Sequence, residues 1–309
     1  MRIIVFGGSG FLGSHVAEAL TKAGHEVIIF DVKESPYLLP GQTMIVGDIL
    51  DPESVEKAVQ GCDVVYNFAG IADIDECVHR PVDTVKYNIL GNAIVLEAAR
   101  KAEVRRFIFA SSVYVYSETG SFYRASKQAC ESFIENYLNL HGLPYTILRY
   151  GSLYGERGDE RNSIYRLINQ AMSTGRIVYH GTGEEKREYI HVKDAAALSV
   201  DVLNSDYENQ YVILTGNTSM KYRDLLEMIK EMLGNNIEII YKPKKTNEHY
   251  KITPYSFNPK LGRKLVNNPH IDMGQGLLNC MAEIYQSIHK EKYEEMGLLL
   301  NNAGAGGDQ

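Results

Sequence analysis

Six short apolar runs, each followed by a helical or loop segment, fill the first 150 residues of the chain and constrain its fold more than any other feature. The runs are 2–6, 26–30, 43–46, 63–67, 106–110 and 145–149, and β-branched and aromatic side chains dominate them. Apolar runs of this length, without strict alternation, mark strands covered on both faces, and strands that alternate with helices build a parallel sheet. Helices are expected over 11–23, 52–60, 81–102 and 122–140, the second with Asp51 as N-cap and Pro52 in its first turn. The fold class is therefore α/β, a doubly wound parallel sheet with a smaller mixed α/β domain.

After Arg149 the rhythm turns irregular, with glycines at 151, 155 and 158 and helical patterns near 163–172 and 194–203. Residues 222–233, 236–241 and 274–288 supply two further helices and a strand. This divides the chain into a ligand-binding domain at 1–150, on which 187–205 packs back, and an interleaved second domain at 151–300. The Gly- and Asn-rich residues 301–309 are expected to be disordered.

Composition excludes several classes of function. The 309 residues are 44% hydrophobic and 23% charged, as in an ordinary folded protein. A formal charge of −7 with no long basic run argues against nucleic acid or an anionic membrane as partner. No run approaches the roughly 18 apolar residues of a membrane helix. The opening run ends at Gly7-Gly8 without a small-residue cleavage pattern, so a secretory signal is not expected and the chain reads as cytoplasmic. Cys62, Cys77, Cys130 and Cys280 have neither CxxC spacing nor a histidine cluster, which predicts reduced, mostly buried thiols and no metal site.

The first run leads into Gly7-Gly8-Ser9-Gly10-Phe11-Leu12-Gly13 and then a helix. In such a loop the first glycine permits a tight turn. The middle one lets backbone approach a pyrophosphate at the helix N-terminus, and the third lets helix and strand pack closely. Asp31 ends the second run, where a carboxylate accepts both ribose hydroxyls of an adenosine and repels a 2′-phosphate, so NAD is favoured over NADP. Asp48, after the third run, has two readings, a ligand of the adenine amino group or a turn acid.

Taken in order, these segments resemble the extended short-chain dehydrogenase/reductases, in particular nucleotide-sugar epimerases and dehydratases of the UDP-glucose 4-epimerase type. The resemblance rests on the glycine loop, Asp48, Asn88, Ser111-Ser112 through Tyr116, Tyr123-Arg124-Ala125-Ser126-Lys127, residues 149–157, and Arg187-Glu188-Tyr189-Ile190-His191-Val192. It implies a Rossmann domain carrying NAD and a substrate domain taking a nucleotide-diphosphate sugar. The implied cofactor contacts are Gly7, Gly10, Phe11, Leu12 and Gly13 in the loop, then Asp31, Asp48, Ile49, Ala69, Asn88 and Lys127. The implied catalytic residues are Ser112, Tyr123 and Lys127, and the implied substrate contacts Ser111, Ser112, Tyr123, Ser152 and Arg187. A homodimer through helices 81–102 and 122–140 is implied as well.

Tyr189/Lys193 and Tyr241/Lys245 share the YxxxK spacing, but only Tyr123/Lys127 opens a helix after the fifth strand. At i and i+4 the two side chains share a helix face, and a nearby ammonium is expected to lower the phenol's pKa and make Tyr123 a general base. Ser112 is then placed to hold the reacting oxygen, with Ser111 as its alternative and a turn cap as its structural role. For Arg187 the alternative to a diphosphate contact is an ion pair with Glu184 or Glu188.

The chain departs from the family's pattern in three places. Val113-Tyr114 stand where dehydratases carry an acid pair, which disfavours a 4,6-dehydratase, with Glu118 the nearest substitute. Only ten residues separate Ser112 from Tyr123, a shorter interval than in most of the family. Ser152 replaces an asparagine, and a second phosphate-binding arginine has no match, with His249, Lys251 and Arg263 as candidates. The expected activity is an NAD-dependent nucleotide-sugar epimerase; the alternatives are a dehydrogenase or ketoreductase with net redox, and a non-catalytic NAD-binding protein.

Overall fold

The computed structural model describes residues 1–243, 249–254, 263–265, 267 and 270–289; the tail at 301–309 lies outside the described residues. Its first half contains β1 (Arg2–Phe6), α1 (Phe11–Lys22), β2 (Glu26–Asp31), β3 (Thr43–Val46), α2 (Pro52–Val59) and β4 (Val64–Asn67). There follow α3 (Ile74–His79), α4 (Pro81–Thr84), α5 (Gly91–Lys101), β5 (Arg106–Ser112), α6 (Ser121–His141) and β6 (Tyr145–Tyr150). The second half contains β7 (Ser152–Tyr154), α7 (Ser163–Thr174), β8 (Arg176–His180), β9 (Lys186–His191), α8 (Val192–Asp201) and β10 (Gln210–Leu214). β11 (Ser219–Lys221), α9 (Tyr222–Met232), β12 (Glu238–Lys242), β13 (Arg263–Leu265) and α10 (Met273–Ile288) complete it.

Eight strands form one sheet in the order β13-β10-β6-β5-β4-β1-β2-β3, and every pairing in it is parallel. Because side chains alternate along a strand, each strand supplies both faces. Ile4 and Phe6 of β1 join a core under α2, α5 and α6, while Ile3 and Val5 join a second core under α1 and α8. This is the Rossmann doubly wound sheet expected from the sequence. A third core gathers α7, α9 and α10 around Tyr154, Ile168 and Leu226. Beside it lie a three-stranded sheet, β11-β9-β7, and the pair β12-β8.

Two details differ from the sequence reading. The helix expected over 81–102 is interrupted by a π-helical segment, Val85–Leu90, which carries the buried side chain of Asn88. The chain's return to the large sheet also goes beyond 187–205. β10 pairs with β6 and β13 with β10, so two strands within 151–300 extend the sheet. A cut at residue 150 therefore does not divide the sheet from the rest, because non-local pairing sets its edge.

Two phenols are locked into the α1/α8 face. The Tyr66 hydroxyl donates to the Ser199 carbonyl at 2.6 Å, and the Tyr150 hydroxyl lies 2.6 Å from Ser199 Oγ. Burial pushes both above the ordinary tyrosine pKa. Below about pH 10 folded and unfolded chains both keep these protons; above it the unfolded chain releases protons that the fold retains, and stability falls. Melting followed by circular dichroism between pH 8 and 11 is expected to give a Tm that declines above pH 10 and less steeply in Tyr66→Phe. A flat profile contradicts this.

Candidate active site

The carboxyl ends of β1, β2, β4, β5 and β6 bring the predicted residues to one edge of the sheet. Gly7 turns with φ +75°, a conformation that disfavours a side chain, and a Cβ there would lie 2.7 Å from the Ala69 nitrogen. A Cβ on Gly13 would stand 2.1 Å from the Gly7 carbonyl oxygen. Both glycines are therefore required by close backbone approach. Gly10 differs, since a Cβ there meets only that same oxygen, at 3.3 Å. It is the N-cap of α1, and no side chain caps the helix, so the first turn presents its N–H groups to the loop mouth. Phe11 and Leu12 form that turn, half-buried.

Asp31 flanks the loop. Its carboxylate accepts the Ser9 N–H at 3.0 Å and the Lys33 N–H at 3.3 Å. Ala69 is held against Gly7 by its own N–H, which donates to Asn67 Oδ1 at 3.1 Å. Asp48 is exposed, and its Oδ1 accepts the Leu50 N–H at 2.9 Å. Ile49 buries its side chain in the core, where a Cβ on Gly91 would come within 2.4 Å of it; that side chain is core and does not line the cleft. The glycine cradle, the uncapped helix and the carboxylate at the end of β2 fit a dinucleotide.

At the end of β5, Ser112 caps a short 3-10 turn, Val113–Tyr116, by accepting the Tyr114 N–H at 3.3 Å. Its hydroxyl also donates to the Tyr150 carbonyl at 3.5 Å, and its proximity to the Tyr123 phenol works to lower that group's pKa. α6 starts directly afterwards, from Gly120 at φ +104°. Burial pushes the Tyr123 phenol up to about 12, against the opposing effect of Ser112. The expected depression by Lys127 is absent. The Lys127 ammonium donates to the Ala110 carbonyl at 2.7 Å and lies 5.7 Å from the Tyr123 ring centre. The i, i+4 spacing does give them one helix face, but the buried Ala110 carbonyl within β5 claims the charge. Burial in turn lowers the pKa of Lys127.

Ser111 does not line the site. Strand alternation sends it to the opposite face from Ser112, where its hydroxyl donates to Glu131 Oε1 at 2.6 Å. Glu131 also forms a buried ion pair with Arg149 at 2.6 Å. Asn88 is fully engaged in holding structure. Its amide nitrogen donates to the Ile71 carbonyl and to Ser126 Oγ, both at 3.0 Å, and its oxygen accepts the Ile71 N–H at 2.7 Å. It thereby ties the loop after β4 to α6, directly behind the cleft.

Arg187 on β9 is 4% exposed. Its guanidinium carbon lies 4.0 Å over the Tyr250 ring and 5.5 Å over Tyr222, and Nη1 donates to the Lys186 carbonyl at 2.8 Å. Burial opposes its charge, but the phenols of Tyr222, Tyr250, Tyr114 and Tyr189 outweigh this and raise its pKa. No carboxylate pairs with it among the described residues. Glu184 pairs instead with Lys221 and Arg223, and Glu188 with Lys264, so the alternative ion pair does not form. Burial raises the pKa of the Tyr250 phenol, and Ser152 beside it opposes that rise. Next to this site a cavity of about 580 Å³ is lined by Gly181, Thr182, Glu185, Tyr241, Lys242 and Lys251.

Sequence reasoning missed Tyr114, Tyr222 and Tyr250 as parts of the site. Tyr114 carried a signal, being two residues from Ser112; Tyr222 and Tyr250 reach Arg187 only through tertiary packing. Of the candidates for a second cation, His249 bonds Tyr114, Lys251 lines the cavity, and the Arg263 side chain lies outside the described residues. Val113 is buried, Tyr114 is a phenol, and Glu118 is exposed, so no acid pair follows Ser112.

The glycines make separable predictions. Gly13→Ala is expected to lower Tm and abolish NAD binding together, because its Cβ meets backbone. Gly10→Ala is expected to fold normally and weaken NAD at least tenfold by obstructing the pyrophosphate. Calorimetric titration with NAD, alongside thermal melts, checks both; unchanged affinity in both variants contradicts the assignment.

The chain matches the Epimerase family model, described as the NAD dependent epimerase/dehydratase family, over residues 3–213. It is 30% identical over 296 residues to a putative UDP-glucose 4-epimerase of Methanocaldococcus jannaschii, a match covering 89% of this chain and 95% of that one. It is 27% identical to a UDP-N-acetyl-alpha-D-glucosaminuronate decarboxylase of Bacillus cytotoxicus, over 85% of this chain and 88% of that one. The UDP-glucose 4-epimerase of Thermus thermophilus in complex with NAD has a TM-score of 0.78 at 25% identity, covering 92% of this chain and 99% of that one. The Thermotoga maritima UDP-glucose 4-epimerase with UDP-glucose reaches a TM-score of 0.82 at 24% identity, over 93% and 100% of the two chains, and has the same fold. With the glycine loop, Asp31 and the Ser112–Tyr123–Lys127 group on one sheet edge, this chain belongs to the NAD-dependent epimerase/dehydratase family.

Proposed function

We propose that this protein is an NAD-dependent nucleotide-sugar epimerase that inverts a sugar carbinol through a keto intermediate. The observation that carries the reading is the meeting of Ser112, at the end of β5, with Tyr123 and Lys127 of α6, the ammonium 5.7 Å from the phenol ring centre, on the sheet edge that also carries the glycine loop. Bound NAD supplies the acceptor and then the donor of hydride. The cradle residues Gly7, Gly10 and Gly13, with Phe11 and Leu12 in the helix turn and Asp31 beside them, hold the dinucleotide; Asp48 and Ala69 complete its surroundings. As its phenolate, a form that the Lys127 ammonium beside its ring and the positive charge of bound NAD would favour over the protonated phenol of the empty site, Tyr123 takes the carbinol proton and returns it to the ketone oxygen. Ser112 holds that oxygen in line with the phenol. Lys127, anchored on Ala110 with its Nζ beside the Tyr123 ring, would help hold the nicotinamide ribose.

Arg187 binds the diphosphate, as a buried cation held by the Lys186 carbonyl and two aromatic faces, with no carboxylate partner among the described residues. Ser152 borders it through Tyr250, and the adjoining cavity with Lys242 and Lys251 accommodates the nucleoside. Holding the substrate by its diphosphate leaves the keto sugar free to turn and present its other face. Val82, Val85, Leu90, Phe122 and Phe133 are exposed along α4, the π-helical segment and α6, and a homodimer through these helices covers them. Four free buried thiols suit a reducing compartment, and the reading places the protein in the cytoplasm.

The test is incubation with NAD and a panel of UDP-, dTDP-, GDP- and CDP-hexoses and uronic acids, with products identified by mass. An isomer of unchanged mass without NADH accumulation is the expected result. Loss of two hydrogens with NADH formation indicates a dehydrogenase, loss of water a dehydratase, and either overturns the proposal. Tyr123→Phe is expected to lower kcat by about 100- to 10,000-fold. Arg187→Ala is expected to raise KM at least tenfold through the lost charge-assisted hydrogen bonds, and an unaltered KM points to a substrate without a diphosphate.

A further inference from the structure

Tyr114 spans the distance between the two ends of the site. Its ring meets the Tyr123 ring edge-on, with centroids 6.2 Å apart, and the Tyr250 ring at 4.5 Å. Tyr250 in turn covers Arg187 at 4.0 Å. A sugar with its carbinol at Tyr123 and its diphosphate at Arg187 therefore runs along Tyr114.

The hydroxyl of Tyr114 lies 2.9 Å from Nδ1 of His249. On the other side of that ring, Nε2 lies 3.7 Å from Oδ1 of Asp75. Burial holds the Tyr114 phenol well above its ordinary pKa, so its proton stays on the oxygen. A neutral His249 that turns Nε2–H toward Asp75 presents Nδ1 as an acceptor, and the phenol proton points there. The lone pairs of the Tyr114 oxygen then remain available to accept. The cationic groups Arg187 and Lys127 can only donate, so Tyr114 adds an acceptor to a wall otherwise rich in donors.

We propose that Tyr114, oriented by His249, is a specificity-determining residue that accepts a hydrogen bond from a hydroxyl of the bound sugar other than the reacting carbinol. His249 is a positioning residue acting through Tyr114. The device selects sugars with a donor at that ring position over those in which it is deoxygenated or fully substituted. This rests on the nucleotide-sugar reading above.

The experiment compares UDP-glucose, its 2-, 3- and 6-deoxy analogues, and UDP alone, using wild type, Tyr114→Phe, His249→Ala and His249→Asn loaded with NAD. Steady-state kinetics supply KM and kcat for the sugars, and calorimetry supplies Kd for all ligands. Tyr114→Phe is expected to weaken UDP-glucose about tenfold, to leave UDP unchanged, and to have no effect on one of the deoxy analogues, the one lacking the hydroxyl that Tyr114 reads. His249→Ala is expected to reproduce this pattern, and His249→Asn, whose amide oxygen replaces the Nδ1 acceptor, to restore most of the loss. Equal losses on UDP-glucose and every deoxy analogue, or no loss at all, overturn the proposal. If Tyr114→Phe does not fold, the half-exposed His249→Ala decides by the same ratios. Wild type that neither binds UDP nor binds any of the sugars overturns the nucleotide-sugar reading as well, whereas wild type that binds them, with unchanged ratios in the variants, overturns only the role of Tyr114.

Discussion

The parallel register of the large sheet is the constraint on which the rest of the molecule depends. With every strand pointing the same way, each carboxyl end opens on the same edge, and each return crosses a face of the sheet through a helix or loop. Phe6 pairs with Phe30 and Asn67, Asn67 with Phe109, and Ser112 with Tyr150. The turns after β1, β4 and β5 are thereby placed side by side: Gly7 rests on Ala69, and the helix that follows Ser112 carries Tyr123 and Lys127. Burial on both faces makes this register costly to shift, since a slip of one residue exchanges the side chains of the two cores.

Charge in the site follows from what desolvation leaves uncompensated. Lys127 and Arg187 are both buried, and neither has a carboxylate partner among the described residues. Lys127 is satisfied by the Ala110 carbonyl within β5 and Arg187 by a neighbouring carbonyl and two aromatic faces. Burial lowers the pKa of Lys127, whereas that of Arg187, among its phenols, is raised. Arg149 shows the opposite case. Also buried, it is matched by Glu131 and spends its charge on joining β6 to α6. The molecule thus separates a neutralised ion pair, Arg149 with Glu131, from two buried cations that have no carboxylate partner among the described residues.

The sequence by itself determined the first six strands, their parallel arrangement, the glycine loop, Asp31 and the Ser112–Tyr123–Lys127 group, because these depend on local apolar runs, turn-permissive glycines and helical spacing; it did not mark β10 and β13, which extend the same sheet. What only the tertiary structure decided was how these pieces meet across long separations. The π-helical segment turned Asn88 into a brace for Ile71 and Ser126. Strand alternation removed Ser111 to the Glu131–Arg149 pair. The carbonyl of Ala110 took the ammonium that helical spacing alone assigned to the Tyr123 phenol. The aromatic surroundings of Arg187 come from residues 35 and 63 positions away, Tyr222 and Tyr250, and the Tyr114–His249 contact joins residues 135 positions apart. No periodicity encodes such pairings, since they are fixed by which faces two cores bury together.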